Sequence, residues 1–122
     1  MPSKNINSVI SVIPVKNFEL ALEWYQKLFE REPDLVPMEG IAEWQLLENA
    51  WIQVSIDLER AGSTTVVIGV NDLEAKCKVI LDANVPIGEI IEYPEVIKMA
   101  EIIDEEGNKI SFVQDISDNS AN

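Results

Sequence analysis

The 122-residue sequence predicts an α+β fold: two βαβββ modules whose curved mixed sheet surrounds a central cup, with the helices outside. Three observations predict it. Short β-branched runs are separated by amphipathic stretches of helical period. The order strand, helix, strands occurs twice. The two occurrences also share breakers, caps and phase at a nearly constant offset, the mark of an internal repeat.

Taken in order, Val9-Ile10-Ser11-Val12-Ile13 is short and β-branched and reads as a strand, closed by Pro14, which has no N–H for a ladder. Asn17 is placed to cap a helix, its side chain accepting a free first-turn N–H. Phe18, Ala21, Leu22, Tyr25, Leu28 and Phe29 then recur at helical spacing, and Pro33 is expected to stop the helix. Leu35 to Met38 reads as a weak edge strand. Ile41 to Leu46 and Trp51 to Ile56 form a hairpin around Glu48-Asn49. Asp57 to Ser63 is polar, contains Gly62 and reads as a loop.

The pattern then restarts. Thr65 to Val70 is a strand, and Asp72 caps a helix with Leu73, Cys77, Ile80 and Leu81 on one face, ended by Asn84 and Pro86. Strands are expected at Ile87 to Ile91, Ala100 to Ile103 and Lys109 to Gln114, the last two joined by the turn Glu105-Glu106-Gly107-Asn108. Ile10 maps onto Thr65 at an offset of 55 (65 minus 10), and Gln53 onto Ser111 at 58 (111 minus 53). Residues 1–116 therefore read as one domain, with repeats at about 6–57 and 64–115, and residues 117–122 as a flexible tail.

Composition narrows the function. Hydrophobic residues make up 47% and charged residues 25%, an ordinary globular balance. No apolar run reaches the roughly 18 residues of a membrane span, and no basic cluster precedes an apolar stretch as in a signal peptide. One cysteine excludes an internal disulfide and suits a reducing compartment, so a cytoplasmic protein is expected. The formal net charge of −13 repels phosphate backbones and argues against nucleic acid, while favouring encounter with cations.

The chain resembles the glyoxalase/bleomycin resistance/extradiol dioxygenase superfamily, also called vicinal oxygen chelate. The resemblance lies in Ile13-Pro14-Val15-Lys16-Asn17-Phe18-Glu19 leading to Trp24-Tyr25 and Leu28-Phe29. It continues in Val70-Asn71-Asp72-Leu73-Glu74 and in Asp104-Glu105-Glu106-Gly107-Asn108-Lys109-Ile110, covering nearly the whole chain. What the resemblance implies is four metal-ligand positions on inner strand faces, here Ile10, Gln53, Thr65 and Ser111. An aliphatic, an amide and two alcohols cannot neutralise a divalent ion, and the chain has no histidine. No metal or cofactor is expected there; an all-oxygen site built elsewhere from Asp and Glu stays open.

The absence of histidine also removes Ser–His and Cys–His catalysis. Cys77 falls on an apolar helix face and reads as buried. Asp104, Glu105 and Glu106 lie on a turn and read as solvated carboxylates. No catalytic residue is assigned. The expected ligand site comprises Trp51, Gln53, Thr65, Ser111, Glu43 and Trp44. For Trp44 two placements stay open, facing the helices or facing the cup. A tryptophan beside a glutamate suits a planar or cationic ligand. The expectation is a metal-free small-molecule-binding protein of the bleomycin-resistance-like branch, with an atypical enzyme of the same superfamily as the alternative. The resemblance also implies a homodimer.

Overall fold

The structure, a computed structural model, describes residues 5–117. Each half of the chain forms the same unit. The first comprises β1 (Val9–Val15), α1 (Phe18–Phe29), β2 (Leu35–Met38), β3 (Ile41–Leu47) and β4 (Ala50–Ile56). The second comprises β5 (Thr65–Gly69), α2 (Leu73–Asp82), β6 (Ile91–Tyr93), β7 (Ile97–Ile103) and β8 (Lys109–Asp115). Each unit has its own four-stranded mixed sheet, in the orders β1-β4-β3-β2 and β5-β8-β7-β6. The first strand of each unit runs parallel to the last, and the remaining pairs are antiparallel. The expected tail lies mostly outside the described residues.

The repeat holds at the level of ladder register. Val12 stands opposite Gln53 as Val67 stands opposite Ser111, and Glu43 opposite Gln53 as Glu101 stands opposite Ser111. Offsets read from sequence as 55 and 58 are thus offsets between paired backbone positions. The helix caps repeat too. The Asn17 side chain accepts from Leu20 N at 3.1 Å and the Asp72 side chain from Ala75 N at 3.0 Å.

Three boundaries differ clearly from expectation, β7 beginning at Ile97 and not at Ala100. Helix α1 ends before Pro33, because Glu30 takes a left-handed conformation (φ 64°) and returns its N–H to Gln26 O. The sixth strand lies at Ile91–Tyr93 and not at Ile87 to Ile91. Pro86 offers no donor there, Gly88 spends its N–H on Glu101 O at 2.9 Å, and Ile87 packs on the core in irregular conformation.

Both sheets turn one face to a common core. Ile13, Val15, Trp44, Ile52 and Val54 supply it from the first unit and Val66, Ala100, Ile102, Ile110 and Phe112 from the second, with Tyr25, Leu28, Leu73, Cys77 and Ile80 from the helices. A polar cluster fastens the units at one point in this core. The Tyr25 hydroxyl donates to Asp104 Oδ2 at 2.8 Å, Asn108 Nδ2 donates to the same oxygen at 2.9 Å, and Asp104 Oδ1 accepts the N–H of Glu106 and of Asn108, each at 2.9 Å. Asn108 Nδ2 also reaches Pro14 O of β1 at 2.8 Å, and the Glu106 carboxylate accepts from Lys16 N and Asn17 N. Asp104 is therefore no solvated turn carboxylate, as sequence suggested. It is 7% exposed and accepts four hydrogen bonds.

Candidate functional site

The face of each sheet turned away from the core is open. Strand alternation assigns it Ile10, Val12, Glu43, Gln45, Trp51, Gln53 and Ser55 in the first unit. In the second it carries Thr65, Val67, Met99, Glu101, Ile103, Lys109, Ser111 and Val113. Apolar residues on this face remain wet in the isolated chain: Ile10 is 49% exposed, Val12 47%, Val67 65% and Ile103 58%. Side chains of this kind ordinarily find a cover.

Five of the six expected ligand residues lie on this face, in two groups. On the first sheet, Gln53 Nε2 donates to Glu43 Oε2 at 2.7 Å, with Trp51 two residues along the same strand. On the second, Ser111 Oγ donates to Glu101 Oε2 at 3.3 Å and Lys109 Nζ lies 3.6 Å from the same carboxylate, while Thr65 stands opposite Lys109. Among the described residues no strand ladder joins the two sheets.

Trp44 is the correction. It points into the core, fully buried, and its indole N–H donates to Arg31 O at 3.0 Å. Phe29 and Tyr25 pack on it, with ring centroids 5.4 and 6.4 Å away. Burial settles the placement that sequence left open: alternation puts Trp44 and Glu43 on opposite faces, and Trp44 is the one in the core. Glu101 is the residue that sequence reasoning missed. The signal was present, since an offset of 58 carries Glu43 onto Glu101 as it carries Gln53 onto Ser111.

At the positions that would grip a metal, Ile10 has no donor atom, Gln53 is engaged with Glu43, Ser111 with Glu101, and Thr65 offers one neutral hydroxyl. This donor set does not fit a divalent ion. Among the described residues no three His, Cys, Asp or Glu side chains gather into a possible metal group. Cys77 is 8% exposed, and burial, with Glu74 as a lesser cause, pushes its thiol pKa up, opposite to what a nucleophile needs. No helix among the described residues is long and apolar enough to cross a membrane.

No family model matches the chain, and no curated protein does. Solved structures do. A glyoxalase/bleomycin resistance protein from Catenulispora acidiphila is 27% identical, with 88% of this chain and 96% of that one covered and a TM-score of 0.83. TnmS3, an antibiotic binding protein from a Streptomyces species, is 16% identical over 94% of this chain and 98% of its own, at 0.75. A bleomycin-binding protein complexed with bleomycin is 13% identical over 88% and 98%, at 0.73. The last two show shared fold alone. With two βαβββ units in matching register, and with these likenesses spanning nearly the whole of each chain, the protein has the fold of the glyoxalase/bleomycin resistance proteins it resembles.

Proposed function

We propose that the chain binds a planar, cationic small molecule on the open face, without a metal and without a covalent step, and that a second copy encloses the bound molecule. One observation carries the reading: the Glu43–Gln53 pair sits beside half-buried Trp51 on a face that also exposes Ile10 and Val12. A carboxylate held by an amide supplies charge, and an indole supplies a flat stacking surface. Like-for-like support comes from relatives described as antibiotic binding and bleomycin-binding. The wet side chains of Ile10, Val12, Val67 and Ile103 are the surface a second copy would cover.

The test is a fluorescence titration with proflavine, a planar cation. The expected result is saturable quenching of tryptophan emission that Trp51→Phe largely removes and Glu43→Gln weakens about tenfold, the usual scale for a lost charge-assisted contact. Glu89→Gln, outside this face, serves as control for the general pull of the −13 charge. Equal weakening by both glutamate variants would reduce the effect to bulk electrostatics and sink the proposal.

A further inference from the structure

The two units meet along a seam; β1 and β5 are edge strands of their sheets, and residues of both line one cavity on it. At one end the Asp104–Asn108–Tyr25 cluster closes it onto the end of β1. The repeat requires a matching place at the other end, where β5 finishes beside the β3–β4 turn. There the equivalents are apolar. Leu46 stands where the second unit has Asp104, Ala50 where it has Asn108, and Ile80 where the first unit has Tyr25. Among the described residues no counterpart of that cluster ties this end; Lys76 reaches across to the first unit beside it, and a cavity of about 360 Å³ opens there.

Phe29, Leu46, Ile68 and Phe112 line this cavity, with Trp51 at its border with the open face. One ionisable group lines it, Lys76, at the position where the first unit has Ala21. Its ammonium is largely withdrawn from water, with the side chain 19% exposed, and lies 5.6 Å from the centroid of the Phe112 ring. It donates to Leu28 O at 3.0 Å and to Glu30 Oε2 at 3.1 Å. An ammonium has three N–H donors, so one is spare. Glu30 is 52% exposed, and so a replaceable partner from the solvent side.

We infer that this end of the seam is a second binding site, for a small apolar monoanion: a carboxylic acid whose hydrocarbon body enters the cavity and whose carboxylate meets Lys76. The volume falls in the range of small-molecule pockets. Apolar walls supply the affinity, and one partly buried cation fixes the sign of charge and the orientation. At the closed end the seam is filled by the chain's own carboxylate, Asp104. At this end Leu46 leaves that role to a carboxylate from outside. The cavity at the closed end, bordered by Asp104, Glu105 and Glu106, carries the opposite charge and would reject the same ligand.

Calorimetric titration of the intact chain with octanoate and with 1-octanol tests this, with amide chemical shifts to locate the site. The expected result is one octanoate per chain, bound about tenfold more tightly than octanol, with the largest shifts at Leu46, Ala50, Lys76 and Phe112. Lys76→Met should equalise the two ligands, and Glu30→Gln, which frees the ammonium, should favour octanoate further. Ala50→Phe, which fills the cavity and leaves the lysine in place, should abolish both. Equal affinity for acid and alcohol, shifts centred on Gln53 and Ser111, or no saturable octanoate binding would each overturn the inference. Proflavine binding at the open face is a separate readout, so either proposal can fail alone.

Discussion

Tyr25 has the most strongly displaced ionisation among the described residues. Burial, then the charge of Asp104 and the hydrogen bond to it, push its phenol far above the ordinary value of 10.0. The folded state therefore holds a proton that the unfolded chain releases above pH 10. The contribution is fully present below that pH and is lost as pH rises, at about 1.4 kcal/mol per pH unit. Urea unfolding between pH 8 and 11 should show this slope in the native protein and a shallower one in Tyr25→Phe. At neutral pH the variant should lose about 1–3 kcal/mol, since Asp104 keeps its burial and loses a donor. Identical alkaline slopes in both proteins would refute this account. Little of it was legible beforehand. Tyr25 belonged visibly to an apolar helical stripe, but its partner lies 79 residues away in sequence, and the pattern around Asp104 reads equally well as an exposed turn.

Among the elements, the loop between the units and the last turn constrain each other. Gly62 has φ +84°, and a Cβ there would stand 2.2 Å from the carbonyl oxygen of Glu106; Gly107, at φ +108°, faces Gly62 O in return. Gly62→Ala would force apart the turn that carries Asp104 and Glu106. It should cost about 2–4 kcal/mol, measured by denaturant unfolding. A change below 0.5 kcal/mol would mean the turn moves aside freely. Strand and helix identities were readable because each carries its own period. The sixth strand was misplaced because the run after Pro86 has the composition of a strand but pairs with β7 only through the Gly88 N–H, while the ladder itself forms at Ile91–Tyr93. Trp44 stayed ambiguous because an alternating strand with large side chains on both faces does not declare which face is inside.

For the whole molecule, the governing fact is an open face with exposed apolar side chains on a chain of net charge −13. Burial of Ile10, Val12, Val67 and Ile103 favours pairing of two copies, while their like charges oppose it. Added salt screens the repulsion and spares the apolar contact. Sedimentation equilibrium should therefore give a mass near twice 13.7 kDa, with association strengthening as salt rises. Val12→Glu should shift the protein to monomer without unfolding it, because Val12 is already 47% exposed in the single chain. A monomer at every salt concentration, or a variant that still pairs, would contradict this arrangement. At this scale sequence was most informative. The duplication fixed both units, their order and the equivalence of their strand positions, whereas the difference between the two ends of the seam required coordinates.

That difference has a consequence for the ancestry of the chain. A homodimer of the first unit alone would set Tyr25 against Leu46, with no acceptor for its hydroxyl. One of the second alone would leave Asp104 against Ile80, short of its phenolic donor. The halves have become non-interchangeable: one swap strands the Tyr25 hydroxyl without its acceptor, and the other strips a donor from a buried carboxylate.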